Sequence, residues 1–286
     1  MTATGVTRYA DVQGVGVPTF IYGTAWKEQE TARLTRMAID AGFRGIDTAN
    51  QRRHYYEAGV GDAFTHALEA GVLKREDVFL QTKFTYADGQ DHRLPYDPKA
   101  PLAKQVEQSF ASSLQHLGVE HLDSYVLHGP SMRDGLGAGD WETWRAMECL
   151  QQDGKTRLLG ASNVTIAQIE KLYTKASIKP AIVQNRCFAA MGWDRSVRKF
   201  CNERGILYQA FSLLTANREV LRHRRVTEIA SRTGKTVPEV IFRFALQVGM
   251  AALTGTTSPE HMAQDLNVYV FELETDEVWA IEKLVA

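Results

Sequence analysis

Short runs dense in β-branched and aromatic residues alternate along the chain with longer stretches whose apolar residues recur every three or four positions. The runs fall at residues 20–26, 45–49, 78–84, 122–128, 156–163, 181–186, 206–213 and 251–257. A helix-patterned stretch follows each of them. Between the first two, Leu34, Met37, Ala38 and Ala41 share one face and Gly42 supplies a stop. Before the last run, Thr236 and Glu239 form a capping-box pattern ahead of Val240, Ile241, Phe244 and Val248. No Ser/Gly/Pro-rich linker interrupts this order. Eight such units predict an α/β fold, a closed (β/α)8 TIM barrel spanning residues 1–286 as one domain. An open doubly wound sheet is the competing arrangement. Residues 9–18 carry a Gln-Gly turn signal, which predicts a β-hairpin ahead of the first barrel strand.

Composition narrows the class. Hydrophobic residues make up 44% of the 286, enough for a large core without staples. The 33 basic and 34 acidic side chains nearly cancel, so no electrostatic footprint of nucleic-acid or anionic-membrane binding is expected. Cys149, Cys187 and Cys201 are odd in number and lack metal-type spacing, which predicts reduced thiols and no metal site. The start of the chain has neither a basic cluster nor an apolar run, and no segment approaches the ~20 apolar residues of a membrane helix. A cytoplasmic protein is expected. Its oligomeric state is left open.

Ligands of a (β/α)8 barrel sit at the C-terminal ends of the strands, so the last residues of each run carry the functional information. They read Thr24, Asp47, Lys83, His128, Ser162 with Asn163, Gln184 with Asn185, Ser212, and Thr256 with Thr257. One ionisable group at a strand end is commonly a satisfied structural group. An Asp, a Lys and a His converging from three strands point to chemistry.

These segments also resemble a known family. Gly42-Phe-Arg-Gly-Ile-Asp-Thr-Ala49 resembles the signature of the aldo-keto reductases. Phe79-Leu-Gln-Thr-Lys-Phe84 is similar to the family's lysine strand, and Asp123-Ser-Tyr-Val-Leu-His-Gly-Pro130 to its histidine strand. Residues 154–163 and 183–185 are similar to the Ser-Asn and glutamine strands, and residues 210–214 and 255–258 match the last two. The resemblance covers nearly the whole chain in order. It implies reversible hydride transfer between a nicotinamide cofactor and the carbonyl of an aldehyde or ketone, with Asp47, a tyrosine, Lys83 and His128 as catalytic residues. Reducing a carbonyl leaves negative charge on oxygen, so a proton donor must stand within reach. A tyrosine of pKa near ~10 suits that task when a nearby cation such as Lys83 lowers it, with Asp47 holding the lysine protonated. Tyr55 and Tyr56 are both candidates. The His-Tyr-x-Glu order of the longer-loop members of the family favours Tyr55.

The same resemblance lays an extended cofactor across the barrel top, NADP with NAD possible. It implies Gly23, Thr24 and Asp47 beside the nicotinamide ribose, Ser162, Asn163 and Gln184 on the carboxamide, and Phe211 stacking in place of the family's tyrosine. Ser212 and Leu214 would meet the pyrophosphate, and Gly255, Thr256, Thr257 and Ser258 the remaining phosphate. Ser258 followed by Pro259 is a good helix start, whose free N–H groups suit an anion. The Lys and Arg that NADP-preferring members carry here are missing. The glycines at 135–139 read as a flexible loop rather than a phosphate cradle, and the basic run Arg222-His-Arg-Arg225 as a solvated loop. Trp26, Tyr56, Gly129 and the loop 86–101 are candidates for the pocket of a small carbonyl substrate, with Cys187 and Phe188 either at its rim or in the core. Two other functions fit the same strand ends. One is a nicotinamide-binding regulatory subunit, and the other a lyase using Lys83 as a Schiff-base nucleophile.

Overall fold

In the computed structural model the described residues are 6–284. The first five, on which the expectation about a signal peptide rests, lie outside them. Strands β1 (Tyr9–Val12) and β2 (Val15–Pro18) form the expected antiparallel hairpin. Its two-residue turn puts Gln13 at φ 54° and Gly14 at φ 80°. Positive φ at both positions gives the turn a twist that matches the strands.

Eight parallel strands follow: β3 (Phe20–Gly23), β4 (Gly45–Asp47), β5 (Phe79–Phe84), β6 (Leu122–Leu127), β7 (Thr156–Ser162), β8 (Ile182–Arg186), β9 (Leu207–Phe211) and β10 (Met250–Thr254). Each pairs with the next and β10 returns to β3, closing the barrel. This is the (β/α)8 barrel and not the open sheet. Its outer layer begins with α1 (Thr31–Ala41), α2 (Glu57–Glu69), α3 (Leu102–Leu117), α4 (Ala138–Gln152), α5 (Ile166–Lys175) and α6 (Arg195–Asn202). Helix α1 buries Leu34, Ala38 and Ile39 and stops at Gly42, whose φ is 111°. Three helices rather than one fill the space after β9: α7 (Arg218–Arg222), α8 (Arg224–Thr233) and α9 (Val237–Gln247). The basic run 222–225 is therefore a helix junction and not a loop. It faces solvent, where Arg224 and Arg225 pair with Glu228. Helices α10 (Pro259–Leu266) and α11 (Thr275–Glu282) complete the chain.

Two further readings are corrected. The glycines at 135–139 open α4, and the helix start is already occupied. The Asp140 carboxylate accepts from Gly137 N at 2.8 Å and Ser131 N at 2.7 Å. Gln168 ties the same loop down by donating to the carbonyls of Met132 and Gly135. Six of the eight predicted strands also overrun at their C-terminal ends, β5 and β8 ending where expected. There the ladder stops and Trp26, Asn163 and Ser212 take positive φ (62°, 55° and 59°), which turns side chains toward the mouth.

The hairpin sets which end is the mouth. Val12, Val15 and Val17 pack on Phe79, Leu158, Ala181 and Ile182 at the beginnings of the strands, as an apolar plug. Ligand access is left to the opposite end. No described helix is long and apolar enough to cross a membrane.

Candidate active site

Strand alternation turns Asp47, Lys83, Gln81, Gln184 and Gln209 into the barrel, where all five are buried. Lys83 Nζ donates to both Asp47 oxygens at 2.7 Å and to the Thr48 carbonyl at 2.8 Å, which commits all three of its protons. Asp47 Oδ1 also accepts from Gln81 Nε2 at 2.7 Å and Gln184 Nε2 at 3.1 Å. Gln209 Oε1 accepts from the same two amides at 2.8 and 2.9 Å. A floor of amides thus carries the ion pair. Burial pulls the Lys83 pKa down, and the Asp47 carboxylate opposes it. Gln81 and Gln209 are polar groups inside the barrel that the strand-end residues alone did not include. Both lie two residues before a mouth residue on the same strand, a period-two signal that points to them.

Above this floor, Tyr55 and His128 meet edge to face with ring centroids 5.9 Å apart. Lys83 Nζ lies 5.3 Å from the Tyr55 ring centroid. The Tyr55 hydroxyl takes no hydrogen bond from the described residues. Burial, then the Asp47 carboxylate, pushes its pKa well above the ordinary tyrosine value. That corrects the expectation that Lys83 lowers it, because burial and the Asp47 charge both act in the opposite direction. Burial, then the Lys83 charge, holds the His128 imidazole down to about 3, so it is neutral in the working range. Tyr56 lies elsewhere, with its ring under the Arg52 guanidinium at 4.5 Å.

Tyr55 and His128 line a cavity of 1070 Å³. Of the residues singled out in the sequence, Gly23, Trp26, Asp47, Gly129, Ser162, Asn163, Gln184, Phe211, Ser212, Leu214, Gly255 and Thr256 also line it. Thr24, Tyr56, Lys83, Thr257 and Ser258 do not. Thr24 is spent on the Asp47 carbonyl, which its hydroxyl reaches at 3.0 Å. Ser258 caps α10, accepting from His261 N at 3.3 Å. Cys187 is core and not rim, since it is fully buried with its thiol pushed up to about 12.

The amides of the wall divide their functions. Asn163 Nδ2 donates to the His128 carbonyl at 2.8 Å, and Gln184 Nε2 to Asp47 and Gln209. Their carbonyl oxygens take no protein donor among the described residues and are free to accept from a ligand. Gly255, Thr256, His261, Gln264 and Asp265 contribute the part of the lining that follows β10. Lys27, which sequence reading passed over, reaches it and donates to the Gly255 carbonyl. Arg186 is a second cation on the wall. Asp265 is 4% exposed and its Oδ2 has no partner among the described residues.

Known proteins share this arrangement. The model of the Aldo/keto reductase family matches residues 14–286. The uncharacterized oxidoreductase YtbE of Bacillus subtilis is 32% identical over 273 residues, covering 95% of this chain and 90% of its own. Glyoxal reductase of the same organism is 30% identical, with the same coverage of each chain. Among solved structures, an aldo/keto reductase of Brucella melitensis superposes with a TM-score of 0.82 at 25% identity, covering 96% of this chain and 98% of its own. An aldo-keto reductase of Bombyx mori in complex with NADP has the same fold, with a TM-score of 0.81 at 24% identity over 96% of this chain and 92% of its own. With the family's barrel, its strand signatures in order and a match along nearly its entire length, this chain belongs to the aldo/keto reductase family of oxidoreductases.

Proposed function

We propose that this protein reduces an aldehyde or ketone to the alcohol with NADPH, or less favourably NADH, and that Tyr55 delivers the proton. Tyr55, His128 and Asp47 line one cavity, with Lys83 buried against Asp47, and this arrangement carries the reading. When bound, the nicotinamide supplies the hydride. The free oxygens of Asn163 and Gln184 suit the two N–H donors of a carboxamide, with Ser162 beside them. Phe211 offers its ring face. Lys27 and Thr256 with Gly255 would meet phosphate, and Gly23, Ser212 and Leu214 other parts of the cofactor. Thr24, Thr257 and Ser258 act by shaping these segments.

The chain's own residues manage the proton. Tyr55, with its pKa held up, keeps its proton at rest and gives it up as charge develops on the substrate oxygen. Lys83 then stands near the phenolate, and Asp47 with its glutamines keeps the lysine charged and in place. A neutral His128 orients the carbonyl through a ring N–H. Trp26 and Gly129 border the substrate. Lys83 is a poor Schiff-base nucleophile, because all its protons are engaged and it is fully buried. Three free cysteines support a reducing compartment such as the cytoplasm.

The test is a fluorescence titration with NADPH and NADH, followed by turnover with an aldehyde panel. Tyr55→Phe is expected to abolish reduction with cofactor affinity unchanged, while Tyr56→Phe turns over normally. The reverse pattern would move the proton to Tyr56. Binding without turnover across the panel would favour the regulatory-subunit reading.

A further inference from the structure

His128 has two ring nitrogens, and orienting a carbonyl uses one. The other, Nδ1, lies 2.7 Å from the hydroxyl of Thr85. Thr85 follows β5 directly, lines the cavity and is 6% exposed. The loop that comes after it holds it still. Its carbonyl accepts from the Tyr96 hydroxyl at 2.8 Å and from Gln90 Nε2 at 3.3 Å. Its methyl lies against Gly89, where an added Cβ would come within 2.7 Å of Thr85 Cγ2. Gly89 in turn is anchored through its own carbonyl, which accepts from Gln51 Nε2 at 2.6 Å. Only a residue without a side chain allows this approach, so the loop clamps the Thr85 rotamer and aims its hydroxyl at the imidazole.

A neutral imidazole carries one proton, on Nδ1 or on Nε2. Nδ1 is the one acceptor the Thr85 hydroxyl has among the described residues. A proton on Nδ1 would turn the bond round and leave the threonine hydrogen without a partner in a buried site, which is the costly arrangement. We propose that Thr85 donates to His128 Nδ1 and so fixes the histidine proton on Nε2, making Thr85 the positioning residue that keeps His128 a donor toward the substrate carbonyl. The last step rests on the reductase reading. The assignment of the tautomer does not.

The experiment reads both. Long-range 15N–1H spectra of the imidazoles report the tautomer, with His128 assigned by the signal lost in His128→Asn. An Nε2–H pattern is expected in the native protein and in Thr85→Ser, and its loss in Thr85→Val, which keeps the shape of the side chain. Turnover in Thr85→Val should fall by roughly tenfold or more at unchanged NADPH affinity, with Thr85→Ser recovering most of it. A Thr85→Val protein that retains the Nε2–H pattern overturns the proposal, as does a Thr85→Ser protein as slow as Thr85→Val. If Thr85→Val does not fold, Thr85→Ala takes its place under the same criteria. A native protein that reduces no carbonyl would sink the reductase reading, while the spectra still decide the Thr85 bond.

Discussion

Burying an ammonium and a carboxylate together is tolerable only when every proton and lone pair finds a partner. Lys83 and Asp47 meet that condition, with side chains 0% and 3% exposed and a floor of amides beneath them. Lys83→Met breaks the pair. The expected outcome is no turnover and a loss of about 3 kcal/mol in urea unfolding, at the lower end for a broken pair because Gln81 and Gln184 still donate to Asp47. A fully active variant would remove Lys83 from the mechanism. Asp265 is the opposite case, a buried carboxyl whose Oδ2 has no partner among the described residues. Desolvation, against a neighbouring Thr254 hydroxyl and with the Glu239 charge, raises its pKa to about 7. The folded state therefore holds a proton that the unfolded chain has released above pH ~4, so Asp265 costs stability as pH rises from there to about 7 and no more beyond. Asp265→Asn should raise Tm, and by more at pH 8 than at pH 5. An equal gain at both would mean that the carboxyl is not protonated in the folded protein. Asp47, Lys83 and His128 were legible because each combines a strand's inward parity with a position at its end. Asp265 was not, since nothing local marks which face of α10 the barrel covers.

Local chemistry made several elements readable before any coordinates. The Gln13–Gly14 turn, the stop at Gly42 and the Thr236–Glu239 box are each decided by residues within one turn of one another. Strand ends were less readable. Six of the eight apolar runs continue past the last ladder bonds, and only neighbouring strands determine where pairing stops. The glycines at 135–139 resembled a mobile loop because the partners that hold them, Asp140 and Gln168, act through contacts that periodicity does not register. The hairpin shows what such an element does once placed. Val17 is fully buried against the barrel floor, so Val17→Ala should cost about 2 kcal/mol in chemical denaturation. A negligible loss would mean that the hairpin merely rests on the barrel.

At the scale of the whole molecule, the cofactor question changes. Sequence reading found no cation near Thr256 to meet a phosphate. Barrel closure pairs β10 with β3, and the chain leaving β3 brings Lys27 onto the Gly255 carbonyl. A charge-assisted bond to a phosphate contributes about 1.5–3 kcal/mol. Lys27→Met should therefore weaken NADPH binding by roughly tenfold or more in a fluorescence titration. Greater loss for NADPH than for NADH would place Lys27 at the 2′-phosphate, equal loss at the pyrophosphate. An unchanged Kd would exclude it from cofactor binding.

The sequence by itself determined the eight-unit order, the hairpin, the capped helices and the strand-end residues Asp47, Lys83 and His128. These follow from the period-two and period-3.6 patterns and from turn chemistry, all properties of neighbours along the chain. Tertiary structure decided which tyrosine faces the cavity, that glutamines from three strands support the ion pair, that Thr85 meets His128 and that Lys27 meets Gly255. Each of those depends on groups brought together from different strands or loops. Only closure of the barrel sets the distances between them, because strand pairing fixes register and the buried interior excludes the water that would otherwise satisfy these groups.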